Sequence, residues 1–143
     1  MRLIKCILMA MALMTIMPQQ TQAKQIVAPK AYMFGFVANF TDSVVYFTDI
    51  QTVDSVWYEE KNKFLIGRSE YSNQLRSYFS DQLNKPHSTC VVMFALKRKD
   101  AEKKYLKLKK RYTVKFAGKY EVKSLNENEF RFTPYKRETD EKE

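Results

Sequence analysis

The sequence has little glycine: Gly35, Gly67 and Gly118 are the only three, and they stand far apart. A glycine-rich loop that cradles phosphate therefore cannot be built. Cysteine is as scarce, with Cys6 and Cys90 alone, and His87 is the one histidine. One imidazole, two distant thiols and scattered acids do not supply the clustered ligand spacings of zinc or calcium sites. The chain carries no signature of a bound metal or cofactor. It also lacks the roughly 20 consecutive apolar residues that a membrane-spanning helix needs. Its longest such run, Cys6 to Met17, has twelve.

That run has a setting of its own. Arg2 and Lys5 precede it, and a polar stretch ending in Thr21-Gln22-Ala23 follows it. Basic start, short apolar centre and small terminal residue make a secretory signal peptide over 1–23, cut after Ala23. Cys6 lies before most of the apolar run, which argues against acylation to a lipoprotein. The expected product is exported, periplasmic or secreted, with one domain over 24–135, a charged disordered tail over 136–143 and no transmembrane segment. In that product Cys90 stands alone, so no internal disulfide can form.

Charge is segregated along the rest. Residues 24–96 hold seven basic and seven acidic residues, and 124–143 hold four basic and six acidic. Residues 97–123 hold twelve basic and three acidic. One contiguous segment thus carries the excess on an otherwise balanced chain.

AYMFGFVANF (31–40) and SVVYFTDI (43–50) are rich in aromatic and β-branched residues and are separated by Thr41-Asp42, so they read as a hairpin. Gly35 inside the first strand marks a bulge or a close backbone approach. QTVDSVWYEEKNKFLIG (51–67) has no sustained period and reads as a solvated connection, with Trp57, Tyr58, Phe64, Leu65 and Ile66 folding back onto the core. From Ser69 to Asn84, Tyr71, Leu75, Tyr78, Phe79 and Leu83 recur at helical spacing, with Ser69 as N-cap and Asn84-Lys85-Pro86 as the stop. TCVVMFAL (89–96) is apolar on both faces and reads as a central strand.

A second helix follows over 97–112, with Asp100 capping its first turn. Ala101, Tyr105, Leu108 and Tyr112 form a narrow apolar seam, and basic residues take the remaining circumference. YTVKF (112–116), YEVKSL (120–125) and EFRFTPY (129–135) read as short strands. The expected fold is α+β, a two-layer sandwich of order β-β-α-β-α-β-(β), with two helices packed on one mixed sheet.

The export signal, FVANFTDSVVYFTDIQ, the YSNQLRSYF helix and TCVVMFALKRKDAEKKYLKLKKRY together resemble small secreted proteins of unknown function from Gram-negative gut anaerobes. That resemblance covers most of the chain after the signal and implies no activity. TCVVMFALKRKDAEKKYLKLKKRY alone is also similar to the strand-to-helix half of SPOR-type peptidoglycan-binding domains, although no second copy of that half is present and the strand is more apolar. It implies a fold relation only.

Four chemistries compete for the remaining signals. His87 and Cys90 sit three apart, and on a strand such residues point to opposite faces, which argues against a thiol–imidazole pair. Asp42, Asp49 and Asp54 surround the second strand, where two facing one cleft would serve as general acid and base of a small periplasmic hydrolase. Nucleic acid suits the basic helix electrostatically. Export removes that partner, and the helix tyrosines belong to the buried seam. This leaves a non-catalytic binding or accessory protein of the cell envelope, with Lys103, Lys104, Lys107, Lys110 and Arg111 contacting an anionic glycan, a lipid head group or an acidic partner protein. The plainer alternative is a solvated helix that keeps the protein soluble.

Asp42-Ser43-Val44 and Asp54-Ser55-Val56 are both Asp-Ser-aliphatic, which is similar to the O-glycosylation acceptor pattern of exported proteins in the same gut anaerobes. The resemblance implies Ser43 and Ser55 as acceptors. Asn39-Phe40-Thr41 fits the N-glycosylation pattern, which matters only in a eukaryotic secretory route.

Overall fold

The computed structural model describes residues 23–39 and 41–138. Residues 1–22, on which the expected signal peptide falls, Phe40 and 139–143 of the expected tail lie outside the described residues. Strand β1 (Gln25–Asn39) is the centre of a five-stranded mixed sheet. It pairs antiparallel with β2 (Val44–Thr48), β3 (Gln51–Glu59) and β4 (Thr89–Ala95). Strand β5 (Glu121–Leu125) adds parallel to β2. Helix α1 (Arg68–Asp81) joins β3 to β4, and α2 (Arg98–Lys110) leads from β4 towards β5. The class is α+β, with two helices on one mixed sheet, and the order is β-β-β-α-β-α-β.

The hairpin forms as the residues dictate. Asn39 Oδ1 accepts from the Thr41 amide and hydroxyl, Asp42 Oδ1 accepts from the Val44 amide, and Ser43 closes the turn at φ 52°. β2 and β3 then act as one long strand with a step in it. Phe36 pairs with Phe47 while Met33 pairs with Gln51, so two residues of β1 face three across the ladder. This is a bulge, which leaves an amide without its ladder acceptor. Here the Gly35 amide donates to the Thr48 hydroxyl at 2.8 Å, and Thr48 is buried.

β3 corrects the reading of 51–67 as a connection. Gln51 and Val53 are buried, Asp54 and Ser55 are both exposed, and Val56 and Tyr58 are buried. Alternation slips by one residue at Ser55, whose φ of 53° is left-handed. β1 slips with it, because Ala28 and Ala31 are buried while Pro29 and Lys30 between them are exposed. The register is the same on both sides of the slip, so the two strands exchange faces together. A period broken in this way hides the strand from pattern reading. Of the side chains expected to fold back, Leu65 is buried, but Phe64 is 53% exposed.

The faces of β1 divide the helices. Ala31, Met33 and Val37 share a core with Tyr71, Leu75 and Phe79 of α1, and with Cys90, Val92 and Phe94 of β4. Phe34 meets Tyr105 of α2 edge-on at 5.2 Å, and Phe36 meets Tyr112 at 5.0 Å. At Gly35 α1 packs close against the strand: a methyl there would collide with Leu75 Cδ1. The glycine thus serves both purposes its position suggested, close approach and bulge. β4 pairs with β1 alone among the described strands and leaves Val91 37% exposed, so it is an edge strand and not a central one. β1 holds the centre because it is long enough to pair along both edges.

Helix ends differ from expectation by one to three residues. α1 begins at Arg68 after Gly67 at φ 73°, a left-handed residue in place of a Ser69 cap. It ends at Asp81, three residues before the expected stop, and the chain turns away at Asn84, which takes φ 53° while the Lys85 amide returns to the Phe79 carbonyl at 2.8 Å. α2 starts one turn earlier than an Asp100 cap would place it, with Lys97 as N-cap, and Asp100 lies inside the first turn near the positive end of the helix dipole.

YTVKF is not a strand. Residues Arg111–Lys115 continue α2 as a wider turn, closed by the Phe116 amide on the Arg111 carbonyl at 2.9 Å. Tyr112 and Phe116, four apart, meet at 5.7 Å, a helical spacing that outweighs the β-branched Thr113 and Val114, and Tyr120 beyond the turn meets both rings edge-on. EFRFTPY also lacks ladder pairing, yet it is ordered. Gln51 donates to the Phe130 carbonyl and accepts from the Phe132 amide, both at 2.8 Å. Gln74 does the same at Thr133, and the Tyr71 hydroxyl accepts from the Tyr135 amide at 3.0 Å. Side-chain amides replace a neighbouring strand, and Phe130 and Phe132 are buried beneath the strap they hold.

Candidate functional site

Helix α2 is set by its seam. Ala101 is fully buried, and Tyr105, Leu108 and Tyr112 pack on Phe36, Val45 and Phe47. With that stripe against the sheet, 3.6-residue periodicity sends the other positions outward. Lys103, Lys104, Lys107, Lys110 and Arg111 are all exposed.

The structure divides these five. Lys104, Lys107 and Arg111 recur at i, i+3 and i+7 and line one groove. Lys103 flanks it in an adjoining hollow that also contains Lys104 and Asp100, while Lys110 lines neither. The wider turn after α2 keeps Arg111 on the helical path and so in line with the two lysines. Lys104 is held in place, its Nζ donating to the Phe94 carbonyl at the end of β4 at 2.8 Å.

The opposite wall is one that sequence reasoning missed. Lys63 and Phe64, from the connection between β3 and α1, and Arg68, the first residue of α1, face α2 across the groove. Arg68 lies over the Phe64 ring at 5.2 Å, a stacking that the i, i+4 spacing of the two residues could have signalled. Met93 and Leu108 add apolar lining, the Phe94 carbonyl that Lys104 holds lies at its edge, and the groove has a volume of about 530 Å³. No Asp or Glu lines it. Lys63, Arg68, Lys104, Lys107 and Arg111 form no ion pair with any described carboxylate. Five cations thus converge on one apolar concavity without internal neutralisation.

The other candidates disperse. Asp42 pairs with Lys85, whose hydrogen bond holds the carboxyl below the ordinary aspartate range and raises the lysine. Asp49 accepts from the Glu127 amide at 3.2 Å, and Asp54 stands exposed opposite Lys30 on the β1–β3 ladder. Each of the three aspartates has its own structural setting, and Asp49 lines a hollow beside Glu127, Arg98 and Tyr105. Cys90 is buried and its thiol is pushed up by desolvation, while His87 is exposed in the preceding loop. A thiol shifted that way is a poorer nucleophile near neutral pH. Among the described residues no three His, Cys, Asp or Glu side chains gather as a metal site, and no helix is long and apolar enough to cross a membrane. Ser43 and Ser55 are both exposed, both left-handed and each followed by a buried valine.

No family model, curated protein or solved structure matches the chain.

Proposed function

We propose that the protein is a non-catalytic, exported binding or accessory protein of the cell envelope, which contacts an anionic glycan, lipid head group or acidic partner through α2. The observation that carries this reading is the set of exposed cations on α2, Lys103, Lys104, Lys107, Lys110 and Arg111, on a helix whose orientation is fixed by its aromatic seam. A purely solvating face would have no reason to meet Lys63 and Arg68 from another segment around an acid-free groove. Like charges brought together cost free energy, and an incoming anion recovers it.

Replacing the five α2 residues with Gln and measuring retention on purified envelope at low and physiological salt tests the reading. The expected outcome is loss of retention, with the unmodified protein itself retained less as salt screens the contact. Equal retention of both proteins would contradict it. Ser43 and Ser55 are proposed O-glycan acceptors, and the intact mass of protein from its native host decides that point.

A further inference from the structure

We infer that the groove between α2 and the 62–68 connection takes one anionic amphiphile, a phosphate monoester carrying a single aliphatic chain; this deepens, and rests on, the reading of α2 as an anion-contacting helix. Three features select that class. First, every charged residue of the lining is a cation. Arg68 and Arg111 offer planar forks that grip two phosphate oxygens at once, and Lys63, Lys104 and Lys107 add point charges. A phosphate monoester brings about −1.5 to −2 charges at neutral pH, so it matches this lining better than a single carboxylate does.

Second, part of the lining is apolar. Met93 and Leu108 line the groove and Phe64 walls it, with Phe64 53% exposed where solvation gains its ring nothing. An aliphatic chain laid there removes apolar surface from water, a driving force that inorganic phosphate cannot supply. Third, the donors are one-sided. Ammonium and guanidinium groups donate hydrogen bonds and cannot accept them, so sugar hydroxyls would find few acceptors in the groove beyond Asn62. Its volume of about 530 Å³ also lies in the ordinary range of small-molecule sites, about 300–1,000 Å³.

Titration calorimetry below the micelle threshold tests this with four probes: dodecyl phosphate, inorganic phosphate, uncharged dodecyl maltoside and hexaglutamate. Dodecyl phosphate is expected to bind at least about tenfold more tightly than any of the other three. Two charge-reversed double variants locate it. Lys107→Glu with Arg111→Glu, on the groove, is expected to weaken dodecyl phosphate binding at least about tenfold. Lys103→Glu with Lys110→Glu, an identical charge change off the groove, is expected to weaken it less than about threefold.

These are exposed side chains, and circular dichroism of both variants checks the fold; Lys107→Gln with Arg111→Gln stands in should the reversed pair unfold. Equal binding of phosphate or of dodecyl maltoside, tighter binding of hexaglutamate, or equal losses in the two double variants would overturn the inference. Envelope retention of the same variants keeps the two readings apart. If both pairs lose retention while dodecyl phosphate fails to bind, the groove ligand is wrong and the basic helix survives; if neither pair loses retention, the broader reading falls as well.

Discussion

Thr48 carries more of this fold than its size suggests. Its hydroxyl accepts from the Gly35 amide at the bulge, where the ladder supplies nothing, and in turn donates to the Asp49 carbonyl at 3.0 Å. Valine would fill the same volume and leave a buried amide unmade. We therefore expect Thr48→Val to destabilise the protein by about 1–3 kcal/mol in urea unfolding, with exchange at the Gly35 amide accelerated. A change within error would show that the bulge tolerates an unpaired amide. Gly35 was legible in the sequence as a bulge or close approach. Thr48 was not, because its partner follows from a one-residue register step between strands that only the folded sheet reveals.

Elements were legible where one period ran unbroken. α1 keeps its i, i+4 stripe from Tyr71 to Phe79, and the α2 seam of Ala101, Tyr105, Leu108 and Tyr112 meets the sheet as its spacing requires. β3 escaped because Ser55 reverses its phase, and the amino-terminal half of β1 escaped with it around Pro29. The 129–135 strap reads as a strand because Phe130 and Phe132 alternate inward, as strand residues do. Its backbone partners are the amides of Gln51 and Gln74, from distant parts of the chain. That arrangement predicts the outcome of Gln51→Leu. Two buried backbone groups lose their partners at about 1–3 kcal/mol each. The strap should then lose hydrogen-exchange protection at Phe132 before the sheet does. Retained protection at Phe132 would mean that aromatic burial holds the strap without the glutamine.

Across the whole molecule the decisive feature is the separation of charge from packing. The formal net charge of +9 is concentrated in residues 97–123, yet the aromatic seam there is packed and the cations are outside it. The α2 half of the candidate site was therefore readable from one helix. The other half, Lys63, Phe64 and Arg68, is brought across by the chain's return from β3 to α1, a tertiary fact that no local pattern encodes. Lysine acetylation followed by mass spectrometry, with and without purified envelope, tests the central claim most directly. The account predicts that Lys103, Lys107 and Lys110 react readily in the free protein and become protected together on the envelope, while Lys24 and Lys30 stay reactive. Low reactivity of the three in the free protein, or protection confined to Lys24 and Lys30, would contradict it.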